Sequence, residues 1–188
     1  TIVKRVEYLI NQYHVKPAEI LVVTFTRAAA QEMRERFYRQ MERNNLPVSF
    51  GTFHGVFYGI LKWAYDMPSN SFLKENEQTA LLEQLLSGLN MEYDYELITD
   101  LLADIGRFKS RNIPIGDYEA AGRSYQHSFA AIYASYEEQK GRMRKMDFED
   151  MLLMCLKLFR NYPDILKKWQ NRFTQILIDE FQDINPVQ

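Results

Sequence analysis

Two short stretches of the chain are continuously apolar, Ile20-Leu21-Val22-Val23 and Ile176-Leu177-Ile178, and most of the sequence between them repeats its apolar residues at helical spacing. An unbroken apolar run bounded by turn residues predicts a strand covered on both faces, as in the centre of a parallel sheet. The first strand spans 20–25, is set up by Lys16-Pro17-Ala18, and leads into a helix over 28–43 with Ala29, Met33, Phe37 and Met41 on one face. Strand then helix makes an α/β unit. A second helix over 54–65 carries Phe57, Ile60, Leu61 and Ala64 at core spacing and stops before Met67-Pro68-Ser69-Asn70-Ser71. From there to about Met146 the period is helical throughout: Leu81, Leu82, Leu85, Leu86 and Leu89 form one stripe, Leu97, Leu101, Leu102, Ile105 and Phe108 a second, and Phe129, Ile132, Tyr133 and Tyr136 a third. An all-helical block between strand-bearing flanks predicts an insertion into an α/β domain, dividing the chain into 1–68, 69–146 and 147–188. Past the insertion Asp147 caps a helix carrying Phe148, Met151, Leu152, Cys155 and Phe159, which Arg160-Asn161-Tyr162-Pro163 closes.

Composition narrows the class without naming it. At 188 residues, 46% of them hydrophobic, the chain can build one ordinary core or one domain with an insertion. Its 23 Lys and Arg stand against 25 Asp and Glu, so no general basic field announces a nucleic-acid partner. A single strand can still be held by aromatic stacking in a local groove. Cys155 is the only cysteine, which excludes an internal disulfide and a cysteine-rich zinc site and predicts a reducing, cytoplasmic home. No apolar run approaches the ~20 residues that span a bilayer, and no signal peptide opens the chain, so no membrane partner is expected.

The chemistry concentrates at the end of the second apolar run, where Ile178 is followed at once by Asp179 and Glu180. Ligands of parallel sheets sit beyond the carboxyl ends of the strands. In a nucleoside-triphosphatase reading Asp179 holds Mg²⁺, usually through water, while Glu180 orients and deprotonates the attacking water. No Gly-x-x-x-x-Gly-Lys-Ser/Thr loop (Walker A) occurs in these residues, so the cradle for the phosphates is not among them.

Three blocks occur in order: Thr24-Phe25-Thr26 with Ala29-Ala30-x-Glu32-Met33, then Gly51-Thr52-Phe53-His54, then Asp179-Glu180-Phe181-Gln182-Asp183-Ile184-Asn185. They resemble motifs Ia, Ib and II of superfamily 1 DNA helicases of the UvrD/PcrA/Rep kind. Met146-Asp147-Phe148-Glu149-Asp150-Met151-Leu152 resembles the acidic-aromatic block that precedes motif II there. The resemblance spans essentially the whole chain, though the middle is matched only by position and helical character. It implies an incomplete RecA-like (P-loop NTPase) parallel-sheet domain with a large all-helical insertion, the family's subdomain 1B. Thr1 to Ile10 resembles the helix that follows the phosphate loop, so the chain reads as a fragment starting after that loop and stopping after motif II. Also implied are ATP and Mg²⁺ as nucleotide and cofactor, single-stranded DNA and single-strand/duplex junctions as partners, and further helicase domains in the same parent chain. By the same resemblance Thr24, Phe25, Thr26, Arg27, Thr52, Phe53 and His54 contact DNA, and Gln182 and Asp183 couple nucleotide state to neighbouring motifs. Relatives commonly read Thr-Phe-Thr-Asn-Lys-Ala-Ala in the first block. Arg27 and Ala28 replace the Asn-Lys pair here, shifting the positive charge by one position, and no contact is carried over to Ala28.

The same residues have plainer readings. Phe25 is either a core residue or a base-stacking platform, and His54 either a satisfied structural histidine or a strand contact. Thr26 is a helix cap whose neighbouring amides also suit a phosphate. Arg34, Arg36, Arg39 and Arg43 alternate with Glu32, Glu35 and Glu42 as on a solvated helix face. Arg107-Phe108-Lys109-Ser110-Arg111 and Lys140-Gly141-Arg142-Met143-Arg144-Lys145 are either DNA-backbone patches or ordinary surface, and the insertion's tyrosines are mostly packing residues. Alternatives to a motor are a non-hydrolysing module of helicase descent, the helicase part of a helicase-nuclease, and a two-metal phosphohydrolase using Asp179, Glu180 and Asp183.

Overall fold

In the computed structural model, which describes residues 2–42 and 45–188, the first apolar run is strand β1 (Ile20–Thr24), with all five residues buried. Strand side chains alternate between faces, and each face of β1 has its own core. Ile20 and Val22 pack with Val3, Val6 and Leu9 of helix α1 (Ile2–Asn11) and Phe37 of α2 (Arg27–Met41), whereas Leu21 and Val23 pack with Phe53. Two further strands, β2 (Ser49–Thr52) and β3 (Gln175–Ile178), pair parallel with β1 in the order β2-β1-β3. Parallel neighbours need a crossover, and α2 provides it between β1 and β2. Thr26 starts α2 by accepting the Ala29 N–H at 3.1 Å, and Glu42 ends it in the left-handed region. Thr1 and Arg43 lie outside the described residues.

Two strands depart from the sequence pattern. Ser49-Phe50-Gly51-Thr52 has no apolar run to announce it, and its register opposite Leu21–Thr24 comes from pairing with β1. The run 176–178 was expected at the sheet centre, but β3 is an edge of these three strands and Ile176 is 57% exposed. A run of three apolar residues is compatible with either position.

Contacts divide the chain into two compact units, one of Thr1–Ile60 with Cys155–Ile184 and Gln188, the other of Leu61–Met154 with Asn185–Val187. The first holds the sheet. It also holds α8 (Pro163–Arg172), which begins on the Pro163 expected only to close the preceding helix, because proline at the first helical position loses no internal hydrogen bond. The second unit holds α4 (Glu75–Gly88), α5 (Tyr95–Arg111) and α6 (Phe129–Arg142), whose Leu82, Leu86, Leu101, Ile132 and Tyr136 are fully buried. Its period is not helical throughout. Met146 N–H donates to Ser71 O and Leu73 N–H to Met146 O, both at 2.9 Å, so a short parallel bridge ties the two ends of the helical block together. Helices α3 (Phe53–Tyr65) and α7 (Phe148–Asn161) each carry the chain from one unit into the other. On α7 the expected stripe holds for Met151, Leu152 and Cys155, while Phe148 is 50% exposed with its ring stacked 5.8 Å from that of Phe72.

Candidate functional site

The register brings three distant segments to one sheet edge. Thr24 pairs with Thr52 and Val23 with Ile178, and the Asp179 N–H extends the ladder by donating to Val23 O at 2.9 Å. Thr52, Thr24 and Asp179 therefore stand in a row at the carboxyl ends of β2, β1 and β3, where open α/β sheets hold ligands. Helices α2 and α3 start from the same edge. Thr26 caps the first, and Thr52 Oγ1 accepts the Gly55 N–H at 3.1 Å in the second. A Cβ at Gly55 would lie 3.2 Å from that Oγ1, so a larger residue there would require the hydroxyl to shift by a few tenths of an ångström.

The expected DNA-contact residues separate into supports and surface. Thr24, Thr52 and Phe53 are buried, whereas Thr26 and Arg27 are exposed and His54 is half-buried. Phe25 is 38% exposed, which removes it from the core proper, and its ring rests 5.4 Å from that of buried Phe53, itself stacked on Phe57 at 6.4 Å. Burial pushes the His54 imidazole below its ordinary range, so it is neutral near pH 7 and interacts as a hydrogen-bonding group rather than a cation. One feature escaped the sequence reading. Arg27, Gln31 and Arg34, spaced to share one face of α2, line a cavity of about 250 Å³ with Thr52 and Gly55. Arg36, by contrast, makes the expected surface pair with Glu32 at 2.6 Å.

The acids stand at the other end of the row. Asp179 is half-buried and lines a cavity of about 310 Å³ with Val3 of α1 and Ala29, Met33 and Arg36 of α2. Glu180 is exposed and accepts a hydrogen bond from Gln182 Nε2 at 2.5 Å, and the Asp183 N–H donates to the Glu180 carbonyl at 2.9 Å. Glu180 has φ 51° and ψ 47°. The other described non-glycine residues with positive φ, such as Glu42, Asp66 and Asn112, follow helix ends, where that conformation is usual; Glu180 follows a strand. A left-handed residue outside a cap costs of order 1–3 kcal/mol and is held there by its surroundings.

The acidic-aromatic block and the basic runs meet in the helical unit as one buried ionic cluster. Asp147 and Asp150 form a reciprocal cap at the start of α7, each accepting the other's backbone N–H at 2.9–3.0 Å. Lys109 Nζ lies 2.5 Å from Asp147, 2.8 Å from Asp150 and 2.6 Å from Glu137, and Lys140 Nζ lies 3.0, 2.5 and 2.6 Å from the same three acids. Both lysines are buried, so two of the residues offered as DNA-backbone contacts are structural. Burial pushes the Asp147 carboxyl up, but Lys109 and Lys140 outweigh it and hold it at about 2. Burial pushes the Lys109 ammonium down, and the three carboxylates outweigh that, keeping it well above the ordinary lysine range. The three acids have oxygens within 4.8 Å of one another, yet two ammoniums already occupy the position a cation would take. Cys155 is likewise structural: its buried thiol donates to Phe57 O at 3.4 Å, and burial pushes it up to about 12.

No helix among the described residues is long and apolar enough to cross a membrane. The sequence matches the profile of the UvrD/REP helicase N-terminal domain over residues 1–188. It is 34% identical over 190 residues to YjcD of Bacillus subtilis (strain 168), covering 98% of this chain and 25% of that protein. It is 31% identical over 192 residues to DNA helicase II of Escherichia coli (strain K12), covering 100% and 26%, and 29% identical over 190 residues to the ATP-dependent DNA helicase PcrA of Leuconostoc citreum, covering 98% and 25%. The chain thus spans about a quarter of the length of the curated relatives it matches. A profile match over the whole length shows the family: the chain belongs to the UvrD/REP helicase N-terminal domain family.

Proposed function

We propose that this chain is part of the first, RecA-like motor domain of an ATP-dependent DNA helicase that couples ATP hydrolysis to movement along single-stranded DNA and duplex unwinding. In this reading residues 1–68 and 147–188 belong to the motor domain and 69–146 are its helical insertion. The parent protein supplies the phosphate loop and a second motor domain. The observation that supports the reading is the row Thr52–Thr24–Asp179, which brings residues of all three motif blocks to the carboxyl ends of neighbouring strands. Steady-state ATP hydrolysis by the full-length protein, with and without single-stranded DNA, tests it. Stimulation by the strand is expected, and DNA-independent turnover with no unwinding of a tailed duplex overturns it.

The acid pair fits Mg²⁺ by its chemistry, since carboxylate oxygens are the hard donors that ion prefers. Asp179 would hold it, usually through water. When bound, the ion neutralises charge on the β- and γ-phosphate oxygens of ATP. Glu180 orients a water toward the γ-phosphorus and takes its proton as the new P–O bond forms and the bond to ADP breaks. The bond from Gln182 fixes the aim of that carboxylate, which gives Gln182 and Asp183 a means of coupling to neighbouring segments. On the strand side, Phe25 stacks on a base over the Phe53 ring, and Thr26, Arg27 and neutral His54 contact the strand as hydrogen-bonding or charged groups.

Two outcomes follow. Phe25→Ala in the full-length protein should weaken single-stranded DNA binding by about 1–3 kcal/mol, the worth of one base stack, and lower DNA-stimulated hydrolysis while sparing basal hydrolysis; His54→Ala should act in the same direction but less. Fluorescence-anisotropy titration checks this, and unchanged affinity per folded molecule leaves Phe25 a packing residue against Phe53. The 188 residues by themselves carry no phosphate loop, so they should show no ATP turnover and only weak nucleotide binding. Saturable micromolar binding of a fluorescent ATP analogue to the isolated chain would mean the nucleotide site is misplaced.

A further inference from the structure

Within the helical unit, α5 puts Asp104, Arg107 and Arg111 on successive turns of one face, and the segment 118–125 folds over them. Both oxygens of buried Asp104 are occupied: Oδ1 accepts from Tyr118 Oη at 2.7 Å and Arg107 Nη2 at 2.6 Å, and Oδ2 accepts from Tyr125 Oη at 2.5 Å. Arg107 is thereby braced while its side chain stays 50% exposed. Arg123, 37% exposed, is braced by an ion pair with Asp100. Arg111 lies with its guanidinium carbon 5.6 Å from the Tyr118 ring centroid, and no carboxylate of the described residues pairs with it. These three guanidiniums line a cavity of about 330 Å³ with Asp104, Tyr118, Glu119 and the small wall Ala120-Ala121-Gly122. Gly122, at φ 78°, makes the turn in that wall.

We propose that this cavity is an oxyanion site for a phosphate group, presented either as a nucleic-acid backbone phosphodiester or as free phosphate. Each guanidinium carries five N–H donors in a rigid fork, and the bracing consumes only some of them. Arg107 spends Nε and Nη2 on Asp104 and also meets Tyr118, leaving part of its fork, and Arg111 keeps its whole fork. A fork held in place loses little entropy on gripping a tetrahedral anion. Two hydroxyls and the Arg107 guanidinium donate to the Asp104 oxygens, which turns its lone pairs away from the cavity and weakens its repulsion of an anion. The three arginines are balanced by Asp100, Asp104 and Glu119, so binding rests on close-range donor geometry rather than a long-range field, and it is weak and salt-sensitive. The anion chemistry stands without the helicase reading, which bears only on the source of the phosphate.

Arg111 is the cleanest variant, being exposed and meeting the acid–tyrosine scaffold only through the face of the Tyr118 ring. In the full-length protein, Arg111→Ala should lower affinity for a tailed duplex by about fivefold to tenfold near 0.1 M salt and reduce the salt slope by about one, as for one lost phosphate contact; Arg111→Glu should lower it further, with DNA-independent ATP turnover unchanged. In parallel, inorganic phosphate is compared with chloride at matched ionic strength for its effect on the thermal midpoint. A phosphate-specific rise that both variants lose supports the site. If DNA affinity falls as well, the backbone is the source; if it does not, the source is free phosphate. Both variants matching wild type in DNA affinity, salt slope and phosphate response overturn the proposal. Should that happen while Phe25→Ala still weakens strand binding, the helicase reading survives alone; loss of the phosphate response in a protein that binds no DNA leaves the site and removes that reading.

Discussion

Glu180→Gln in the full-length protein is expected to bind ATP and Mg²⁺ near normally while turnover and unwinding fall by a factor on the order of 10²–10⁴, the range over which a positioned general base acts. The amide keeps the size of the side chain and can still accept from Gln182, so the turn that holds Glu180 at φ 51° is not disturbed. The negative charge is lost, and with it the ability to take a proton. Asp179→Asn should fail differently. It weakens retention of the ion, so its defect should shrink as Mg²⁺ is raised, whereas the Glu180→Gln defect should not. Steady-state hydrolysis by both variants across a Mg²⁺ titration, with and without single-stranded DNA, separates the two roles. Near-normal turnover in Glu180→Gln would sink the motor mechanism.

Lys109→Met is expected to destabilise the helical unit by about 3–5 kcal/mol, the usual penalty for removing one partner of a buried ion pair. The methionine fills the aliphatic space but leaves Glu137, Asp147 and Asp150 with Lys140 as their remaining cation in the cluster. Adding Asp150→Asn, whose amide oxygen can still accept the Asp147 N–H, should recover part of the loss. The double variant should therefore fall short of the sum of the singles by roughly 0.5–3 kcal/mol of coupling. Hydrogen exchange of amides in α5 and α6 across a denaturant series measures this in the intact protein. A loss below about 1 kcal/mol for Lys109→Met, at the level of an exposed surface pair, would mean the cluster is hydrated. The pH dependence has a definite sign. Asp147 is lowered from 3.8 to about 2, so its contribution is fully present above pH 3.8 and is lost as the pH falls toward 2.

Local sequence determined a good part of this protein. The Ile20–Val23 run, the Thr26 cap and the Asp147 cap are decided within a few residues by strand burial and by side-chain oxygens meeting the first free amides of a helix, and each forms as its pattern predicts. The three motif blocks were likewise legible, because each is a contiguous run. Tertiary structure decided what no local window contains. Strand β2 exists through its pairing with β1, and β3 is an edge because of strand order rather than composition. Lys109 and Lys140 look like surface cations in a basic run and become the centre of a buried cluster only when Glu137, Asp147 and Asp150 are brought to them from 38 and 41 positions away for the farther Lys109 pairs. Phe25 and Phe53, each an aromatic at the end of an apolar or polar strand, exchange no information in sequence, yet folding buries one and leaves the other partly exposed above it. Side-chain burial and charge pairing are properties of what arrives from elsewhere in the chain, which is why residue type and spacing mark where the chemistry lies while the sheet register and helix packing settle which side chains can reach it.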